Sequence, residues 1–288
     1  MELAASILID SSAYGMTLFM IAVGLSVTLG LMRVVNLAHG LFAVLGGYLT
    51  WWTMQNLHVH YAIAVVAAVL GVAVVGLVLE RTIYRFIYAR GPLDQVLLSI
   101  GVVFVGIAVT GVLFGDGLKS VQLPPLLSGS TDIGFRVIPT HRILVVFSGI
   151  CVVFLIWMVF QYTRFGVRLR AAVDNTSAAE ALGIDSRALY AIAFSLGAAL
   201  AAFGGILGAE IMQIEPFYPM KYLVLFLAVV AVGGLGNIWG SLGAAMLLGT
   251  VDTSCKYLLP AYGSMLTYAA MLAVLSIRPL GLFGSEEA

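Results

Sequence analysis

Charge distribution limits this chain most, because it leaves seven long stretches with no Asp, Glu, Lys or Arg: 11–32, 34–79, 95–115, 143–163, 188–209, 222–251 and 257–277. A helix needs roughly 20 apolar residues to cross a hydrocarbon core about 30 Å thick, and every stretch reaches that length. Hydrophobic residues make up 61% of the chain and charged residues 10%, against about 25% charged in a soluble domain. A water-soluble fold could not cover so much apolar surface. The predicted class is an all-α integral membrane protein, a polytopic bundle of eight or nine transmembrane helices with glycine-interrupted segments. It is read as one membrane domain over 1–288, since the longest polar pieces, about 25 residues, fall below the ~50 residues a separate domain requires.

The 34–79 stretch holds two spans broken near 55–61, and 222–251, extended to Cys255, holds two short ones broken at "GGLGN". Arg81, Arg85 and Arg90 crowd one loop, and Arg164, Arg168, Arg170 and Arg187 crowd another. Basic loops stay cytoplasmic, which places the 164–187 loop inside. The 116–142 loop, where Lys119, Arg136 and Arg142 are offset by Asp116 and Asp132, is then outside. The N-terminus follows to the outside and Arg278 to the inside, which requires an odd number of crossings, hence nine. The first 32 residues carry Glu2 and Asp10 and no basic residue, so the first span is not read as a cleavable signal. Fourteen basic and fourteen acidic residues balance, arguing against a nucleic-acid partner. Cys151 and Cys255 lie in apolar sequence and suggest neither a disulfide framework nor a metal site.

Thirty-two glycines predict close helix packing, because lipid gives little hydrophobic drive between helices and small residues must let backbones meet. Gly204–Gly208, Gly236–Gly240 and Gly111–Gly115 have the required spacing, and 196–210 presents a small-residue face. Two places read differently. "RVVNLAHGLFAVLGG" (33–47) sets Arg33, Asn36 and His39 inside apolar sequence, and "AVGGLGNIWGSLG" (231–243) sets glycines around Asn237. Polar groups freed by a broken helix in hydrocarbon need protein or a water-lined cavity, and paired glycine breaks in the two halves point to a transport path. Asn36, His39, Gly40, Gly236 and Asn237 are therefore the candidate path residues. His39 is either a functional intramembrane ionisable group or a neutral brace for the break, and Arg33 is a snorkelling anchor if the break reaches the interface. Glu210, Glu215 and Lys221 are expected to flank an outer loop at the interface, and Asp252 and Lys256 to pair across one helix turn.

Enzymatic motifs fail. None of the three lysines sits in a phosphate-binding loop, no histidine precedes a glutamate as a zinc-protease helix requires, and no serine lies in a nucleophile elbow. His58 and His60 read as a solvated turn. The 164–190 loop is the most structured polar segment: Ser177-Ala178-Ala179-Glu180 spells a capping box. Gly183 suits the left-handed residue that ends a helix, and Asp185 or Ser186 suits the cap of the next. A short helix at about 178–182, through Ala181 and Leu182, is predicted as a docking element with small side chains outward.

"GLSVTLGLMRVVNLAHGLFAVLGGYL" (24–49), "RFGVRLRAAVDNTSAAEALGID" (164–185), "AVVAVGGLGNIWGSLGAAMLLG" (228–249) and a closing "IRPLGLFG" (277–284) together resemble the permeases of ATP-binding-cassette importers for branched-chain amino acids. The match is to the shorter of the two paired permease types, the one carrying "NLAHG". The resemblance implies a second related permease, two cytoplasmic ATPases carrying ATP and magnesium, and an extracytoplasmic substrate-binding protein, in a bacterial inner membrane. No cofactor is expected on this chain itself. Ser177 to Gly183 become the coupling helix that the ATPases push. Relatives on this scaffold carry urea, amides, and aromatic or dicarboxylic acids, so substrate stays open among these and small amino acids. The rival class is a carrier driven by an ion gradient, with His39 as the titrating group.

Overall fold

The computed structural model describes residues 2–32, 34–88, 90–132 and 137–284; Arg33 and Arg136, used above to read the first break and the outer loop, lie outside the described residues. The chain starts with α1 (Glu2–Ser26), continued by a π-helical stretch Val27–Leu31. After extended chain come α2 (His39–Leu57), α3 (Tyr61–Thr82) and α4 (Pro92–Phe114). The following loop holds α5 (Pro125–Ser128) and a two-stranded antiparallel ribbon, β1 (Ser130–Asp132) with β2 (Val137–Pro139), in which Thr131 faces Ile138. Then follow α6 (Thr140–Tyr162), α7 (Arg164–Asp174), α8 (Thr176–Ala181) and α9 (Ser186–Leu207). The remainder is α10 (Tyr218–Lys221), α11 (Leu223–Gly233), α12 (Ile238–Leu258) and α13 (Gly263–Ile277).

Among the described residues five helical segments are long and apolar enough to cross a bilayer: Leu3–Gly30, Tyr61–Phe86, Pro92–Phe114, Thr140–Tyr162 and Ser186–Glu210. α2 and α12 are also long, at 19 and 21 residues, but carry more polar positions. α11 has 11 residues, a rise of about 16 Å, and cannot cross alone. The all-α multi-pass architecture is as expected, and the breaks fall where they were read: His58 is left-handed, with φ 51°, and the His60 ring accepts from the Ala62 N–H to cap α3. Several elements depart from expectation. The first helix begins nine residues before the charge-free stretch because Asp10 is paired with Arg142 and accepts from the Tyr257 hydroxyl. The ribbon and α7 were not anticipated.

α1 is the axis of the bundle: 89% of its most apolar window is buried, against 22% for α4. It packs on α12, α9, α6 and α11, while α9 also packs on α2 and α3. These contacts are made backbone to backbone. A Cβ on Gly24 would strike the Gly197 carbonyl, one on Gly205 the Ala43 carbonyl, and one on Gly46 would sit 2.7 Å from the Ala202 carbonyl oxygen. The small-residue face expected over 196–210 is the face that α1 and α2 occupy. Gly111–Gly115 is not such a face: Gly115 ends α4 at φ 79° with nothing against it. Its positive φ, not packing, is the reason for glycine there.

Both arginine-rich loops lie at one end, where Arg81 and Arg85 share a cleft of about 600 Å³ with Asp185 and Arg187. Arg142–Asp10 and the His141 Nε2–Leu207 carbonyl bond (2.8 Å) mark the opposite end. Replacing Gly205 by Val is expected to destabilise the bundle by about 1–3 kcal/mol or more, seen as loss of the monodisperse detergent-extracted peak on heating. Gly101→Val, at a position with nothing within 4 Å, should leave that peak unchanged.

Candidate functional site

The first break sits at the arginine-rich end, between the π-helical end of α1 and α2. Asn36 is fully buried, and its carbonyl oxygen accepts from the Ala38 N–H (2.9 Å) and the Tyr84 hydroxyl (3.0 Å). That leaves its Nδ2 to donate to His39 Nδ1 at 3.4 Å. The ring is then the neutral tautomer with its proton on Nε2. Nε2 itself lies in the gap between Gly24 and Gly197, where a Cβ would stand 2.9 and 3.3 Å away. Gln95, in the first turn of α4, accepts from the Val35 N–H (2.9 Å) and donates to the Arg90 carbonyl (3.2 Å). Gly40 is required by the approach of Pro219, whose Cα would lie 2.9 Å from a Cβ there. Asn36, His39 and Gly40 thus form one cluster, braced by Tyr84 and Gln95, two residues that sequence separation gave no means of finding.

The second break joins α11 to α12. Asn237 caps α12, its Oδ1 accepting from the Gly240 N–H (2.9 Å), while its Nδ2 donates to the Phe283 carbonyl (3.3 Å). The C-terminal segment closes the same turn, since the Leu282 N–H donates to the Val232 carbonyl at 2.7 Å. Gly30, in the π-helical stretch after α1, meets Gly236 backbone to backbone, and Ser241 donates to Ser26 nearby at 3.0 Å. The structure therefore brings the end of α1, Gly236 and Asn237 together. The Asn36 cluster lies beyond the π-helical stretch from that contact.

The polar loop carries a rigid element. α7 buries Gly166, Leu169 and Ala172, a three-residue spacing that could have disclosed it, and Arg170 donates to the Phe160 carbonyl in the last turn of α6 (2.5 Å). The cap of α8 is Asn175, whose Oδ1 accepts from the Ala178 N–H (2.9 Å). Ser177 does not cap, because the helix starts at Thr176, one position too early for it. Glu180 instead accepts from the Ser186 hydroxyl, tying α8 to α9. Gly183, at φ 80°, ends α8 as expected: the Ile184 N–H reaches the Ala179 carbonyl (3.0 Å) and the Gly183 N–H the Glu180 carbonyl (2.9 Å), the paired bonds of a left-handed helix stop. Asp185 caps α9 through the Ala188 N–H (3.0 Å). Ala179 is buried, whereas Ser177, Ala178, Ala181 and Leu182 face outward. Beside it Tyr88 donates to Glu80 (3.1 Å); burial, then the Glu80 charge, pushes its phenol far up, so it stays a neutral donor.

Glu215 stands beside the outer loop, as expected: the carbonyl of Ile214 before it accepts from the Lys119 N–H (3.0 Å). The chain after α9 descends into the bundle: Ile214 packs on Gly47, Pro219 on Gly40, and Met220 with Ala38 and Val103. Lys221 Nζ lies 2.5 Å from Glu215 Oε1. Nothing in the sequence signals the descent of Pro219 and Met220. Asp252 and Lys256 do pair, at 2.5 Å.

A family model described as "Branched-chain amino acid transport system / permease component" matches residues 7–275. The high-affinity branched-chain amino acid transport system permease protein LivH of Escherichia coli (strain K12) is 26% identical, covering 95% of this chain and 93% of its own. BraD of Pseudomonas aeruginosa, of the same description, is 25% identical, covering 97% and 95%. A probable branched-chain amino acid transport permease protein LivH of Methanocaldococcus jannaschii is 27% identical, covering 95% and 90%. No solved structure matches the chain.

Asn175→Ala is expected to cost α8 about 1 kcal/mol, read as faster hydrogen exchange at the Ala178 amide. Ser177→Ala should leave that rate unchanged, and the Ala188 amide, capped separately, should not move in either variant.

Proposed function

The chain belongs to the family of branched-chain amino acid transport permease components, and from that premise we propose that it forms half of the translocation path of an ATP-driven importer for branched-chain or other small amino acids. In this reading the protein crosses a bacterial plasma membrane nine times, α10 and α11 together making one crossing. The arginine-rich end is cytoplasmic and the ribbon-bearing end outside, as basic loops favour. It works beside a second, related permease, with an extracytoplasmic binding protein delivering substrate. Two ATPase subunits hold ATP and magnesium, and this chain is not an enzyme.

The observation that carries the coupling assignment is α8. A helix of six residues is unstable alone in water, yet this one is fixed at both ends by Asn175 and Gly183 and tied to α9 by Glu180. It also presents Leu182, 83% exposed, to solvent at the arginine-rich end. A short rigid post with an apolar tip transmits a push without yielding, and Ser177 to Gly183 are assigned that role against the ATPases. Because α8 runs through Asp185 into α9, and α9 packs on α1, α2 and α3, displacement of the post is delivered to the helices that flank both breaks. Asn36, His39, Gly40, Gly236 and Asn237 are assigned to the hinges that open and close the path.

Two outcomes are expected. The reconstituted complex should take up leucine on ATP with all ion gradients collapsed; uptake that vanishes with the gradients would favour a carrier instead. Glu180→Arg or Gly183→Trp should reduce co-purification of the ATPases about tenfold while leaving the detergent melting profile of the bundle in place. Unchanged co-purification would remove α8 from the coupling role.

A further inference from the structure

Three guanidiniums share one cleft at the arginine-rich end without an acid to pair with. The cleft, about 600 Å³, opens where the Tyr61–Phe86 span ends and the Ser186–Glu210 span begins. Arg81 and Arg85 line it from the first span and Arg187 from the second. All three are exposed, and none makes an ion pair among the described residues. The two carboxylates of the cleft are engaged elsewhere. Glu80 is buried and accepts from the Tyr88 hydroxyl (3.1 Å), and Asp185 accepts from the Ala188 N–H (3.0 Å). An apolar strip leads out of the cleft toward the middle of the bundle. The Arg85 guanidinium lies over the ring of exposed Phe86, 4.4 Å from its centroid. α3 and α9 are pinned side by side where Ser195 donates to the Ala73 carbonyl (2.7 Å). Val74 and Leu70 continue the line of Arg81 along α3 at helical spacing, and Ile192 continues that of Ala188 along α9; all three apolar side chains are exposed.

We infer that this cleft binds the headgroup of an anionic phospholipid from the cytoplasmic leaflet, its phosphate among Arg81, Arg85 and Arg187 and its acyl chains along the strip between α3 and α9. The planar fork of an arginine matches two phosphate oxygens at once, and a basic pocket between spanning helices on the cytoplasmic side meets a leaflet rich in such lipids. Depth agrees with the charge, since the cleft stands at the ends of two spans, where headgroups lie. A zwitterionic lipid brings its own ammonium, which three guanidiniums repel. A free phosphate has no chains for the strip, and neither has an acidic protein segment. The site rests on the topology proposed for the bundle, with this end cytoplasmic, and not on the identity of any transported solute. It has a mechanical consequence as well. Ser186, on the wall of the cleft, donates to Glu180, so a lipid held here fixes the base of α8 to the plane of the membrane.

The experiment titrates the full-length chain, delipidated in detergent, with dioleoyl phosphatidylglycerol or dioleoyl phosphatidylcholine and counts bound lipids by native mass spectrometry. The first phosphatidylglycerol is expected to bind about tenfold or more tightly than phosphatidylcholine, since each arginine beside an anionic headgroup is worth about fivefold. Arg81→Gln, Arg85→Gln and Arg187→Gln together should bring that ratio to about twofold or less. Arg164→Gln, Arg168→Gln and Arg278→Gln remove the same charge from the same end and should leave the ratio intact. A ratio kept by the first triple variant, or lost equally by the second, would overturn the site. Soluble glycerophosphoglycerol is expected not to bind; affinity equal to that of the lipid would make the cleft a site for free phosphoesters and end the proposal. A second arm needs no variant. Phosphatidylglycerol with a photoactivatable headgroup should label residues 81–88 and 185–190, both in the isolated chain and with the ATPases bound. Labelling confined to other segments would overturn the proposal, and so would its loss on ATPase binding, which would give the cleft to the protein partner. None of these readouts uses transport, so their failure leaves the permease reading standing.

Discussion

Hydrocarbon cannot satisfy a peptide group, and each break in this bundle is built around that fact. Asn36 accepts from the Ala38 N–H where α1 gives way to α2, and Asn237 accepts from the Gly240 N–H where α11 gives way to α12. Val232, left without a helical donor at the end of α11, receives the Leu282 N–H. Unmet, each such group would cost several kcal/mol in lipid; met by a side chain or a distant segment of the chain, each break becomes a defined bend. The same constraint explains why the arginine-rich end is ordered, since Arg170 completes the last turn of α6.

A second constraint, the near absence of hydrophobic drive between helices in lipid, decides how the bends are held in register. Gly24, Gly46 and Gly205 let α1, α2 and α9 meet at their backbones, and Gly30 meets Gly236 at the junction of the two breaks. Rigid backbone contacts of this kind slide or rotate as units, because no long side chain cushions them. α9 therefore links three things mechanically: the capped post at α8, the axis helix α1, and α2 with its buried Asn36–His39 pair.

Much of this was legible in the sequence, for physical reasons. Charge-free length fixes spanning helices almost by itself, and glycine with asparagine marks a break because both weaken helices; the breaks at 58–60, 34–38 and 234–237 follow. Gly183 was legible because a left-handed stop has few alternatives to glycine. The cap of α8 was misread because Asn175, Thr176 and Ser177 all suit a helix start, and only the entry angle set by α7 selects Asn175. The partners of Asn36 were not legible, since Tyr84 and Gln95 are brought to it by helix packing alone. Glu215 and Lys221 were placed beside the outer loop because charges usually mark an interface, and the pairing of Ile214 with Lys119 sets Glu215 there. The packing of Pro219 on Gly40 and of Met220 on Val103 was not legible, because the turns before α10 leave no periodicity to read.

The bond from the Leu282 N–H to the Val232 carbonyl also fixes an order of events during synthesis. α11 and α12 leave the ribosome before residues 279–284 exist, so the turn between them must enter the bilayer with the Val232 carbonyl and the Asn237 amide still short of partners. Until the later segment arrives, that half of the bundle is held together chiefly by α1, already in place. Maturation of the second break thus comes after the last of these helices has been made, and a chain stalled or cut before residue 282 would carry α1 to α13 yet lack the clasp that sets their angle.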